Sequence, residues 1–155
     1  MTPHRATDPY DWPVLLALIR RAFASMEGVI DPPSSLHHLT PETLATLSAQ
    51  AEVWVIDTPP RACVILTPKP DALYIGKLSV DPPHQGRGHA RRLIDLAETR
   101  ARALGLPALE LQTRVELTDN QATFRHLGFV QTAATAHPGY DRPTSLTYRR
   151  PVSGV

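Results

Sequence analysis

The stretch from Leu73 to Gly105 limits what this chain can fold into more than any other. Leu73-Tyr74-Ile75-Gly76-Lys77-Leu78-Ser79-Val80 reads as a strand, and Asp81 to Ala90 as a tight loop carrying Gly86 and Gly88. An amphipathic helix follows, with Ala90, Leu93, Ile94, Ala97, Ala101 and Leu104 spaced to share one buried face. Gly105 stands where a terminating glycine belongs, and Pro107 keeps the helix from resuming. A helix N-terminus has amides without internal partners and a partial positive charge, so it attracts anions. Gly86 and Gly88 lack Cβ atoms, which lets backbone amides close around phosphate oxygens, and Arg87, Arg91 and Arg92 add charge beside them. A Gly-x-Gly has meaning in this context, after a strand and ahead of a helix.

The run Gln85-Gly86-Arg87-Gly88-His89-Ala90 fits the loop Gln/Arg-x-x-Gly-x-Gly/Ala at every fixed position, and Leu78-Ser79-Val80-Asp81-Pro82 precedes it as a strand end. In these residues the chain resembles the GNAT superfamily of N-acetyltransferases. The dinucleotide pattern Gly-x-Gly-x-x-Gly fails at Arg91, and no Gly-Lys-Ser/Thr phosphate loop occurs. The resemblance implies acetyl-CoA as cofactor, with its pyrophosphate on the amides and side chains of Gln85, Gly86, Arg87, Gly88, His89, Ala90 and Arg91. It implies that the backbone of Leu78, Ser79 and Val80 pairs with the pantetheine arm.

The length of 155 residues suits one domain, taken as 1–155, with a sizeable core. A net charge of +1 gives no reason to expect a nucleic-acid partner. Cys63 is the one cysteine, so no intrachain disulfide forms and a reducing, cytoplasmic location is expected. No apolar run reaches membrane-spanning length, and no Cys/His set has metal-site spacing, so neither a membrane partner nor a metal is expected. A homodimer stays open.

A short strand is expected within Thr2–Ala6. A helix follows, started at Asp8 or Asp11 and burying Leu15, Leu18, Ile19, Ala22, Phe23 and Met26. Thr40-Pro41-Glu42 starts a second helix. Glu52–Asp57 and Ala62–Thr67 read as paired strands, Ala108–Glu116 as a later strand, Asn120–Leu127 as a short helix capped by Thr118 or Asp119, and Phe129–Ala133 and Ser145–Arg149 as the last strands. This order gives an α/β (α+β) fold, a mixed central sheet flanked by helices. In the central strand, Leu73 and Ile75 alternate out of phase with Leu78 and Val80. A bulge near Gly76 or Lys77 would restore all four to one face. A strand buried on both faces would also explain the pattern, and the resemblance, which implies such a bulge, favours the first reading.

Amine acetylation needs a neutral amine, a donor to the carbonyl oxygen as it gains charge, and help for the departing thiolate. The resemblance places the carbonyl donor at the Leu78 N–H, and adds Asn120 and Phe124 to the cofactor contacts. It also puts Tyr74 where the superfamily often has a Glu base and Phe124 where it often has a Tyr acid. Replacements available in this chain are Tyr140 as acid, and Glu116, Tyr74, Glu27 or His137 as base or water holder. The resemblance implies that the first two helices and their connection cover the acceptor, and Glu27, Asp31, Ser35 and His137 are the candidate acceptor contacts. The expected function is direct acetyl transfer from acetyl-CoA to an amine, of a small molecule or a protein N-terminus. A non-catalytic CoA-binding module is the alternative.

Overall fold

A computed structural model describes residues 2–154. The strands are β1 (His4–Arg5), β2 (Glu52–Ile56), β3 (Ala62–Pro68), β4 (Leu73–Val80), β5 (Ala108–Arg114), β6 (Val130–Thr135) and β7 (Ser145–Pro151). The helices are α1 (Trp12–Phe23), α2 (Pro41–Gln50), α3 (His89–Leu104) and α4 (Thr118–His126). One sheet of order β1-β2-β3-β4-β5-β7-β6 runs through the molecule. Its pairs are antiparallel except β4–β5, which α3 connects in parallel.

Two cores lie on opposite faces of this sheet. Trp12, Leu15, Leu16, Leu18 and Ile19 of α1 and Leu44 of α2 pack on Val53, Val55, Cys63 and Ile65. On the other face, Leu93, Ile94, Ala97 and Ala101 of α3 pack on Val64, Leu66, Leu73, Ile75, Leu109 and Phe129. Local chemistry sets the helix ends. The Asp11 carboxylate accepts from the Val14 N–H at 3.3 Å, and Thr40 and Thr43 form a reciprocal capping box. Gly105 adopts φ 72° at the end of α3, and the Leu106 N–H reaches back to the Ala101 carbonyl at 2.8 Å. That turn carries Leu106 into the core and leaves Leu104 exposed, against the expectation that Leu104 is buried. Met26 lies past α1 in a 3-10 turn, β5 stops at Arg114, and α4 starts at Thr118 behind Leu117 with no side-chain cap. The expected strand at Thr2–Ala6 is reduced to His4–Arg5.

The bulge in β4 is present. Ile65 faces Gly76 and Cys63 faces Ser79, so Val64 of β3 stands opposite two residues of β4, Lys77 and Leu78. Lys77 has φ 50°, and its carbonyl accepts from the Ser79 hydroxyl at 2.8 Å and the Cys63 thiol at 3.8 Å. Leu78 and Val80 consequently pack with Leu73 and Ile75 against the α3 core. β4 and β5 pair only at Leu73–Leu109 and Tyr74–Glu110, and beyond Tyr74 they part.

At the far side of the sheet, the buried carboxylate of Glu52 accepts two bonds of 2.8 Å from Arg100 of α3 and one of 2.9 Å from the Trp54 indole. The Arg100 bond is the main cause that holds the Glu52 carboxyl below its ordinary value of 4.5. A lowered carboxyl contributes stability that is complete above that value and is lost as pH falls through the folded pKa. Glu52→Gln should therefore cost about 2 kcal/mol near pH 7, less than a fully buried pair because Arg100 reaches solvent. In denaturant unfolding, the gap to wild type should shrink as the pH is lowered below 4.5.

Candidate active site

The parting of β4 and β5 opens a cavity of about 790 Å3 that joins the two faces of the sheet. Ile75, Gly76, Lys77 and Leu78 form one wall, and Leu111, Gln112, Thr113 and Arg114 the other. On the α1 side, Phe23, Met26, Ile30, Ser34 and Ser35 close it, with His137, Pro138 and Tyr140 from the β6–β7 loop. On the opposite side it reaches Leu117, Asn120 and Phe124 of α4 and the turn before it. This volume lies within the range of small-molecule sites. The Thr113 hydroxyl, buried in this wall, has no hydrogen-bond partner.

The glycine loop sits past the end of β4. Gly86 and Gly88 have φ 77° and 82°, conformations that favour glycine. A Cβ at Gly86 would meet nothing within 4 Å, and one at Gly88 would meet only the tip of Arg92 at 3.9 Å, so the ground above these amides is open. No side chain caps α3 and no acidic residue occupies its first turn. The Gln85 amide donates to the Val80 carbonyl at 3.3 Å and ties the loop to the strand. Burial lowers the pKa of the His89 imidazole, and the nearby Arg92 charge acts in the same direction. Its Nδ1 then accepts from Arg92 at 3.1 Å, while the same guanidinium donates to the Arg87 carbonyl at 3.1 Å. Arg92 thus braces the loop, and Arg87, Arg91 and Arg92 are all exposed. Open amides, uncapped dipole and exposed guanidinium groups fit a pyrophosphate.

A latch crosses the α1-side mouth. The Tyr140 hydroxyl donates to Asp31 Oδ1 at 2.6 Å, and Arg142 donates to Asp31 Oδ2 at 3.2 Å. The Asp31 N–H donates to Glu116 Oε2 at 3.2 Å, and Arg114 donates to the Pro32 and Pro33 carbonyls at 2.5 and 3.2 Å. The bond to Asp31 is the main cause that pushes the Tyr140 hydroxyl above its ordinary pKa. Glu116 Oε1 is buried without a partner.

Of the residues singled out in the sequence, Leu78, Tyr74, Tyr140, Asn120, Phe124, Ser35 and His137 line the cavity. Residues 85–91 stand outside it at the loop, and Val80 turns toward the α3 core. Ser79 is buried, with its hydroxyl spent on the Lys77 carbonyl. Asp31 and Glu116 belong to the latch. Glu27 faces solvent beside His37, 3.3 Å away, and does not line the cavity. Tyr74 is half-buried under the Lys69 ammonium, 4.7 Å from its ring centre. Burial first, then the Glu110 charge, raises its pKa and keeps the phenol protonated. The His137 N–H donates to the Thr144 hydroxyl at 2.9 Å, and its Nδ1 meets the same oxygen. Phe124 packs edge-on to Phe129 with centroids 6.2 Å apart.

The sequence reading passed over Lys77, Thr113 and Arg114. Lys77 is half-buried in the cavity wall, donating to the Ser35 hydroxyl at 3.4 Å with the Phe23 ring centre 6.0 Å away. Burial first, then the Arg114 charge, lowers its pKa. The available signal was a lysine in the middle of an otherwise apolar strand.

The model of the acetyltransferase (GNAT) family matches residues 16–129, a span holding the parted strands, the glycine loop and α4. The chain belongs to the GNAT acetyltransferase family. Solved structures agree with the fold. The ribosomal-protein-S18-alanine N-acetyltransferase of Escherichia coli is 18% identical, with a TM-score of 0.70 over 99% of this chain and 96% of that one. A GNAT-family acetyltransferase of Staphylococcus aureus is 12% identical, with a TM-score of 0.75 over 97% and 98%. An acetyltransferase of Streptococcus agalactiae is 15% identical, with a TM-score of 0.73 over 96% of each chain. No curated protein matches the chain. The enzyme's described residues include no helix long and apolar enough to cross a membrane.

Asp31→Ala removes the acceptor for both Tyr140 and Arg142. Hydrogen exchange in 30–34 and 137–142 should speed up about fivefold, the equivalent of about 1 kcal/mol for solvent-exposed charged hydrogen bonds. The α3 amides should be unaffected.

Proposed function

We propose that this acetyltransferase binds acetyl-CoA along the α3–α4 side of the gap and an amine on the α1 side, and transfers the acetyl group directly. The observation that supports this reading is the single cavity that runs through the gap, with an anion-ready loop beyond one strand end and a latched mouth on the opposite face. When bound, acetyl-CoA supplies the thioester carbonyl that the amine attacks. The chain's own residues do the rest. Gly86, Gly88, His89 and Ala90 offer amides to the pyrophosphate, Gln85 holds the loop on β4, and Arg87 and Arg91 add charge. The backbone of Leu78, Ser79 and Val80 lies beside the path of the pantetheine arm. Asn120 offers an amide from α4, and Phe124 an apolar face.

The bulge frees backbone at Lys77–Leu78 from regular pairing, and we assign the Leu78 N–H as donor to the carbonyl oxygen as it gains charge. Among the sequence candidates for proton acceptor, Tyr74 is held protonated, Glu27 faces solvent and Glu116 bonds to Asp31. His137 lines the cavity and can accept a proton on Nε2 while Nδ1 is held by Thr144. His137 is therefore our choice for base or water holder. The Tyr140 proton is engaged by Asp31, which makes that hydroxyl a latch before it is an acid. Cys63 is buried, which pushes its thiol up to about 12, and it carries no acyl group in this scheme. A buried lone thiol also suits the cytoplasmic location proposed for the enzyme.

The test is calorimetric titration with acetyl-CoA, then thiol release on an amine panel. Gly88→Glu forces a side chain into φ 82° and sets negative charge over the loop amides, so acetyl-CoA affinity should fall at least 100-fold while the fold is kept. Near-normal affinity in that variant overturns the loop assignment. His137→Gln should lower kcat about 100-fold with acetyl-CoA affinity unchanged. An unchanged kcat removes His137 from the chemistry.

A further inference from the structure

We infer that the amine acceptor carries a carboxylate, held in the α1 side of the cavity by the Lys77 ammonium next to Arg114. This rests on the acetyl-transfer reading and names the acceptor's chemical class. The cavity lining contains no Asp or Glu. It contains Lys77 and Arg114, and neither takes part in an ion pair among the described residues. Elsewhere in the fold, Glu52 holds Arg100 and Glu110 holds both Lys69 and Arg149, while Glu116 pairs with no cation, one oxygen accepting from the Asp31 N–H and the other buried without a partner. Like Glu116, Lys77 has no ion-pair partner. The bulge turns its side chain inward, where its partners are a hydroxyl at 3.4 Å and an aromatic face. Arg114 is anchored by two neutral proline carbonyls, which fix its position without an ion-pair partner.

Two cations without ion-pair partners, on facing walls of one half-buried cavity, repel each other, and an anion between them removes the cost. The pantetheine arm of CoA is uncharged, and its phosphates belong at the glycine loop, so the cofactor does not supply that anion. A plain amine does not supply it either, and a protein N-terminus does so only where its first side chains are acidic. A carboxylated amine does, and the same positive field disfavours the ammonium form of its amino group, which is the form that cannot react. Phe23, Met26 and Ile30 sit beside these cations and fit an apolar body. An apolar amino acid combines all three features.

The experiment compares matched pairs, L-phenylalanine with phenethylamine and L-leucine with isoamylamine, by acetyl-CoA-dependent thiol release. The carboxylated member should have kcat/KM at least tenfold higher. Lys77→Met should erase that preference, chiefly through KM, with acetyl-CoA affinity unchanged by calorimetry. Lys77→Arg should keep most of the preference, and a thermal unfolding midpoint near wild type confirms that both variants fold. Equal or better use of the decarboxylated member, or a preference that survives Lys77→Met, overturns the inference. If no amine is acetylated, the acetyl-transfer reading falls, and direct titration of the same pairs decides this one. Binding of the carboxylated members alone, lost in Lys77→Met, upholds it, and binding of neither overturns it.

Discussion

The site depends on one interrupted ladder. β4 pairs with β5 at Leu73 and Tyr74 and then diverges, while on its other edge it stays with β3 through the bulge at Lys77–Leu78. A sheet normally fills itself with paired backbone, so a gap in its middle needs a cause. The extra residue shifts the phase of β4, keeps Leu78 and Val80 in the α3 core, and turns Lys77 to the opposite face. The parting strands expose backbone and a cavity wall that reaches both faces. The loop that leaves β4 carries Gly86 and Gly88 to the start of α3, which takes the chain across to β5.

Charge is divided in a related way. Three carboxylates away from the cavity pair with cations that join elements: Asp81 with Arg21 of α1, Glu52 with Arg100 of α3, and Glu110 with Arg149 of β7. Inside the cavity the cations are left over. Asp31 and Glu116 take part in the latch between the α1–α2 segment and the β6–β7 loop. Framework ion pairs and a positively biased cavity are two sides of one distribution.

Much of this was legible in the residues. The 3.6-residue spacing of Leu93, Ile94, Ala97 and Ala101, the Thr40-Pro41 start of α2 and the phase slip between Ile75 and Leu78 all correspond to observed elements. The glycine loop at the start of α3 was readable because its geometry is local, carried by glycine backbone and a helix end within six residues. The α1 side of the cavity was not, because it is assembled from four separated segments. Nothing near Asp31 announces that Tyr140 and Arg142, more than a hundred positions away, hold it, and Glu27 reads like a pocket residue until the fold turns it to solvent. The end of α1 was missed by a turn, with Met26 past Phe23 in a 3-10 turn, whereas α3 closes at Gly105 as read and only the core place expected of Leu104 passes to Leu106.

The most direct measurement is a crystal structure of the protein with acetyl-CoA. The expected result puts the pyrophosphate on the amides of 86–90, the pantetheine between β4 and β5, and the thioester carbonyl within hydrogen-bond reach of the Leu78 N–H, facing Lys77's half of the cavity. A cofactor bound elsewhere, or a β4–β5 gap closed by protein when it binds, would contradict the central role given to the parted strands.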